Sequence, residues 1–223
     1  MGVTPGQLVS HFPCLYHMAE QGTWPSITEH GLLSTSALLD LYGVNGEERR
    51  RIESCRRPES VTIRHERYGS AVIRDQKPMS ERALDKCLTG MNPDEWYRVL
   101  NGKVFFWLTP ERVSRLLSAR AYRGREHTVL TIDTARLLDR HHADVTLSPI
   151  NSGSTVYNPQ PRDAETFGTL AEYPFDEWWK KRKRAVTAVA ELAVNYEVRN
   201  IREMVVRVER TRESRVLEVI YEP

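Results

Sequence analysis

Apolar residues in the first third of the chain come in short bursts between polar and turn-forming residues. Leu15-Tyr16-His17-Met18 is a brief extended run, and Trp24 to His30 carries helix signals at both ends. Thr23 is placed to accept from the first free amides, Pro25 suits the first turn, and Gly31 follows as a left-handed stop. Leu32-Leu33 begins the next segment. Ser36 caps a helix over Ala37 to Tyr42, closed by Gly43 and the Asn45-Gly46 turn, and Glu47 to Arg57 is polar and helical in character. Val61 to His65 alternates at the strand period, and Ala71-Val72-Ile73 follows a Tyr68-Gly69-Ser70 turn, which predicts a hairpin. It ends in the polar stretch Arg74-Asp75-Gln76-Lys77-Pro78, where a strand meets a loop; the pattern gives Arg74, Asp75 and Gln76 no role.

Further along, Ser80 to Leu88 reads as a helix, and Asn92-Pro93-Asp94-Glu95 is a capping box that starts another, through Leu100 to the stop Asn101-Gly102. Lys103 to Leu108 has the length and apolar character of a buried strand, and Thr109-Pro110-Glu111 opens a helix through Arg120. Thr128 to Ile132 is a strand and Thr134 to Leu138 a brief helix. Between Leu147 and Tyr173 the chain is rich in Ser, Asn, Gly and Pro, and a stretch so long without regular structure is expected to be functional. Three strand-like runs close the chain: Ala185 to Asn195, Glu203 to Glu209 and Arg215 to Tyr221. Helices weighted to the first half and antiparallel strands to the second predict an α+β fold, not a doubly wound parallel sheet. With no Gly-x-Gly-x-x-Gly or Walker loop, a Rossmann or P-loop nucleotide site is not expected.

A length of 223 residues suits one domain over 1–223, and 40% apolar with 28% charged residues is ordinary for a globular protein. No apolar run reaches the roughly 18 residues of a spanning helix. The N-terminus from Met1 to Gly6 lacks the regions of a signal peptide, so a cytoplasmic protein without a membrane partner is expected. Cys14, Cys55 and Cys87 are odd in number and far apart, which predicts reduced thiols and no metal site. The net charge of +2 announces no global field, but Arg49-Arg50-Arg51 with Arg56-Arg57, and Lys180 to Arg184, are local basic clusters.

Three blocks in order resemble the ADP-ribosyltransferase superfamily. The first is the strand end at His17 followed by Trp-Pro-Ser-Ile-x-x-His and Gly31-Leu32-Leu33. The second is Asn101 to Leu108 with the following helix and Ala121-Tyr122-Arg123, and the third is Ala188-Val189-Ala190-Glu191-Leu192-Ala193-Val194. The likeness is nearest to the DarT-like DNA ADP-ribosyltransferases and more distant to PARP catalytic domains. It implies a split β-sheet core with helices mainly from the N-terminal half, and NAD as a substrate with no metal. It also implies His17 and Glu191 as the catalytic pair. His17, Met18, Phe105, Phe106, Arg120, Tyr122 and Arg123 are then the NAD-binding set, and Asn151, Ser152, Trp178, Trp179, Lys181 and Arg182 the acceptor side.

The chemistry accounts for these residue types. Breaking the nicotinamide glycosidic bond builds positive charge on the ribose, where a carboxylate helps most as the charge appears. Glu191 is the only carboxylate in a small, apolar run; the alternative is an outward residue on an edge strand. Phe105 and Phe106 offer a ring platform or simply core, and Arg120 and Arg123 offer phosphate forks or helix-end charge. Trp178-Trp179 beside Lys180 to Arg184 suits single-stranded bases and phosphates, or a core anchor beside a solvated run.

Position 189 is Val, against the Glu or Gln of many relatives that modify arginine or asparagine, and Phe105-Phe106-Trp107 stands where PARP enzymes carry a central tyrosine. These departures point away from an arginine acceptor and from polymer formation. The expectation is therefore a mono-ADP-ribosyltransferase acting on a nucleic-acid base or nucleotide, with toxin, defence and housekeeping roles all open and an antitoxin or ADP-ribosylhydrolase as candidate counterpart. A protein-modifying ADP-ribosyltransferase and an NAD-dependent RNA 2-phosphotransferase share the resemblance. A non-enzymatic nucleic-acid-binding module would need the basic clusters but not Glu191.

Overall fold

The computed structural model describes residues 2–156 and 158–223. Met1, and Tyr157 within the expected acceptor loop, lie outside the described residues. Helix α1 (Pro5–His11) precedes β1 (Cys14–Glu20), α2 (Trp24–His30), β2 (Leu32–Leu33), α3 (Thr35–Leu41) and α4 (Gly46–Glu53). The hairpin β3 (Val61–His65) and β4 (Gly69–Ile73) leads to α5 (Glu81–Cys87), α6 (Pro93–Asn101), β5 (Lys103–Phe106) and α7 (Pro110–Leu117). Then come β6 (Glu126–Asp133), α8 (Thr134–His141), β7 (Val145–Ser148), β8 (Gly168–Thr169), α9 (Phe175–Arg182) and α10 (Ala185–Ala188). Strands β9 (Glu191–Asn195), β10 (Glu197–Val198), β11 (Val205–Arg212) and β12 (Arg215–Tyr221) complete an α+β fold.

Two four-stranded antiparallel sheets, in the orders β1-β6-β11-β12 and β5-β9-β7-β8, meet edge to edge. Their backbones bridge at Tyr16 and Trp107, which exchange both backbone hydrogen bonds at 2.8 Å before the strands diverge. A split of this kind opens a wedge between sheets that share a core. That core takes Leu15 from β1, Phe106 from β5, Leu130 and Ile132 from β6, and Leu192 and Val194 from β9. On the other face of β1, Met18 and Val129 pack under Val113 and Leu117 of α7 with Tyr122.

Several local expectations are corrected. Thr23 does not cap α2; its hydroxyl donates to the Glu20 carbonyl at 2.7 Å. Gly31 ends that helix at φ 85° and ψ 177°, positive but extended, and a Cβ there would lie 2.8 Å from the Val198 carbonyl oxygen. Ser34, not Ser36, caps α3, accepting from the Ala37 amide at 3.1 Å, while Ser36 is buried. The strand expected over Ala185 to Asn195 starts only at Glu191. Before it lies the helical turn α10, because the Arg112 guanidinium takes the carbonyls of Val186, Val189 and Ala190. Helix α1, with a Thr4–Gln7 capping box, and α9, closed by Lys183 at φ 58°, were not anticipated.

Candidate active site

Strand alternation decides what faces the wedge. Phe106 pairs with Leu192 and Val104 with Val194, and all four enter the core. Their neighbours therefore turn the other way. Lys103 and Phe105 of β5 and Glu191 at the head of β9 line a cleft of about 770 Å³, closed by Trp107, Tyr122 and the loop Asn151–Ser154.

Glu191 is 5% exposed. Ser152 donates its amide at 3.0 Å and its hydroxyl at 2.6 Å to the same carboxylate oxygen, Oε2. Burial pushes the carboxyl up to about 7 against the lowering pull of these donors and of the nearby Arg162 and Arg112 charges. Neither guanidinium bonds the carboxylate. Arg112 donates to the carbonyls of Val189 at 2.8 Å and Ala190 at 2.6 Å, and Arg162 to those of Ser152 at 2.9 Å and Ser154 at 3.1 Å. Arg112 thus fixes the backbone leading into Glu191 and Arg162 the loop that carries Ser152, and among the described residues Oε1 takes no hydrogen bond.

Among the charged residues of the wall, cations outnumber carboxylates. Arg57, Arg74, Lys103, Arg112 and Arg115 line the cleft against the carboxylates Asp75 and Glu191, which suits an anionic ligand. Arg74 lies over the Tyr122 ring at 5.4 Å, and the buried Arg57 is bonded to carbonyls of Ile52 and Arg74 and to Asn101. Burial lowers Lys103 to about 8, with its Nζ 2.6 Å from Asn195 Oδ1. Arg115 is exposed and makes no ion pair among the described residues.

His17 does not line the cleft. It sits at the seam of the sheets, its Nδ1 2.8 Å from the Phe105 carbonyl oxygen and its ring 5.8 Å from that of Phe106. Burial lowers the imidazole to about 4, so it is neutral, and because a carbonyl can only accept, Nδ1 carries the proton. Its part in the site is to hold the carbonyl behind the Phe105 ring.

Of the residues singled out in the sequence, the cleft brings together Phe105, Tyr122, Asn151, Ser152 and Glu191. Met18 and Phe106 are core, and Arg120 and Arg123 are exposed outside the lining. Trp178, Trp179, Lys181 and Arg182 lie on α9, also outside it. The Trp178 ring is covered by Lys181 at 4.7 Å and Arg182 at 4.6 Å, whereas Trp179 packs edge-on to His11 and Phe175 and stays 42% exposed. Arg112 and Arg162 were given no role in the sequence, and Arg57 was noted only as part of a local basic cluster. Burial raises the Cys14 thiol, which disfavours a thiolate nucleophile. Among the described residues no cluster of three His, Cys, Asp or Glu side chains is arranged for a metal, and no helix is long and apolar enough to cross a membrane.

The chain belongs to a family described as "Family of unknown function (DUF7002)", which it matches over residues 13–205. No curated protein matches it. The matched span holds every residue of the cleft and ends at the first residue of β11, before the hairpin to β12.

Proposed function

We propose that this member of the family is an NAD-consuming mono-ADP-ribosyltransferase with an ADP-ribosyltransferase-like split-sheet core. The observation that carries the reading is Glu191: one buried carboxylate at the head of a central strand, with one oxygen held by Ser152 and the other free, facing an aromatic and cationic wall. NAD asks for this combination. Its pyrophosphate suits Arg74, its nicotinamide a ring such as Phe105, and its reacting ribose a carboxylate beside the hydroxyls.

In the reaction the nicotinamide–ribose bond breaks with both electrons leaving on nicotinamide, and the ribose carbon takes up positive charge. An acceptor lone pair forms the new bond, and the acceptor's proton passes to the Glu191 carboxylate. Association with the cationic nicotinamide ring also favours the ionised form of a carboxyl that burial holds near neutral pH.

A nucleic-acid base or nucleotide is the acceptor class we favour. Arg115 on the cleft wall and the exposed Arg120 and Arg123 beyond it can follow a phosphate backbone into the cleft. Incubation with NAD and separate pools of DNA, RNA and protein, followed by nicotinamide quantification and mass spectrometry of each pool, tests the proposal. The expected result is nicotinamide release with mass added to nucleic acid. Mass added to protein would move the acceptor, and no release with any pool would overturn the transferase reading.

A further inference from the structure

We propose that Arg162 is a positioning residue that fixes Glu191 through Ser152. This rests on Glu191 as the reacting carboxylate. Arg162 is 2% exposed, carries no carboxylate partner among the described residues, and spends its donors on carbonyls: Ser152 at 2.9 Å, Ser154 at 3.1 Å and Gln160 at 3.2 Å. Its guanidinium lies 5.5 Å over the Trp96 ring, and its own backbone is tied to Cys87 at 2.8 Å and Thr89 at 2.9 Å. The cation is therefore anchored from beneath the loop.

A buried cation bonded only to carbonyls is costly unless a negative charge answers it. The carboxylate of Glu191 supplies one, bonded to the amide and hydroxyl of the same Ser152 whose carbonyl Arg162 grips. With the Ser152 carbonyl pinned on one side, the Ser152 amide and hydroxyl stay aimed at Glu191 Oε2 on the other. Each charge favours the ionised form of its counterpart. Arg112 from α7 also acts on Glu191, and Lys103, Arg74, Arg115 and Asp75 look into the same cleft, so the effect of Arg162 is separated from theirs only by substitution.

The experiment compares wild type with Ser152→Ala, Arg162→Met and Arg162→Lys in the full chain. It follows the titration of the Glu191 carboxyl by carbon NMR, assigned with Glu191→Gln, and nicotinamide release from NAD. In wild type the midpoint is expected at about 7, where burial pushes the carboxyl. Ser152→Ala should move it up by about a unit and lower kcat about tenfold at little change in KM, the scale of one hydrogen bond to a charged group. Arg162→Met should move it the same way, and by less when Ser152 is already Ala, because the two act in series. Arg162→Lys keeps the charge but loses the fork, so kcat should fall with a smaller movement of the midpoint. Folded Arg162 variants with wild-type midpoint and kcat overturn the proposal, and so does an unmoved midpoint in Ser152→Ala. Failure of both Arg162 variants to fold makes Arg162 a structural residue and overturns it as well. Midpoints that move as expected in a protein that releases no nicotinamide overturn the transferase reading and leave the Arg162–Ser152–Glu191 coupling standing.

Discussion

The Nδ1–H of His17 donates to the main-chain carbonyl of Phe105 at 2.8 Å, so a side chain from one sheet holds the backbone of the other where the two diverge. The next link across the seam is the Tyr16–Trp107 backbone pair. Its position gives the imidazole a mechanical role independent of any ligand. His17→Leu strands a carbonyl and should lower stability by about 1 to 3 kcal/mol, while His17→Asn, whose amide can donate from nearly the same place, should retain most of it. Chemical denaturation of the two variants decides. Because His17 sits at about 4 when folded and 6.5 when free, its contribution is present above pH 6.5 and lost as pH falls through 4. His17→Asn should remove that acid-side loss.

Phe105 and Phe106 should separate cleanly. Phe106 is 1% exposed within the main core, and its replacement by Ala should cost about 3 to 5 kcal/mol, as for other large-to-small core changes. Phe105 faces the cleft and meets Phe167 at its edge, so Phe105→Ala should cost less stability and weaken NAD binding instead. Equal losses of stability, with NAD binding untouched by either, would remove the ring platform from the site.

Part of this arrangement was legible in the sequence. A single carboxylate within Ala188 to Val194 stood out because an apolar run tolerates one poorly, and the alternation of β5 required Phe105 and Phe106 to face opposite sides. Which side was which depends on the pairing of Phe106 with Leu192, a non-local register that no local pattern carries. Arg112 and Arg162 were illegible for a related reason. In sequence one is a charge on an amphipathic helix and the other a lone arginine in a polar loop, and their function lies in carbonyls 77 and 10 residues away. That the Trp178 ring is taken by cations one helical turn along, while Trp179 stays exposed, was likewise not legible from the pair itself.

The same covering bears on nucleic-acid binding. Lys181 and Arg182 stack on Trp178, and Arg182 also donates to Thr187 and Pro149 carbonyls, whereas Arg115, Arg120 and Arg123 are exposed without ion pairs among the described residues. Charge reversal of the latter three should weaken binding of single-stranded nucleic acid and flatten its salt dependence. The log–log slope should shrink by about 0.7 for each single-strand phosphate no longer neutralised, or by about 0.9 on a duplex. Reversal of Lys181 should do less. Fluorescence anisotropy across a salt series checks this, and the opposite ranking would return the acceptor surface to α9.

Glu191→Gln brings stability and chemistry into one variant. The folded carboxyl sits at about 7 against 4.5 for the free group, so its protonated form is favoured by folding. The sign follows: this contribution is complete below pH 4.5 and is lost as pH rises through 7. Glutamine keeps an acceptor for the Ser152 donors but carries no charge, and the variant should match wild type at low pH and exceed it above neutrality, by about 3 kcal/mol at most. Turnover should go the other way. NAD affinity should change little, because shape and most hydrogen bonding survive. Nicotinamide release should fall by about a hundredfold or more, the scale for losing one preorganised electrostatic group. Thermal melts across pH and nicotinamide release on the same preparation give both readings. A Glu191→Gln protein that gains alkaline stability and keeps wild-type nicotinamide release would leave Glu191 a buried, costly residue and take it out of the mechanism.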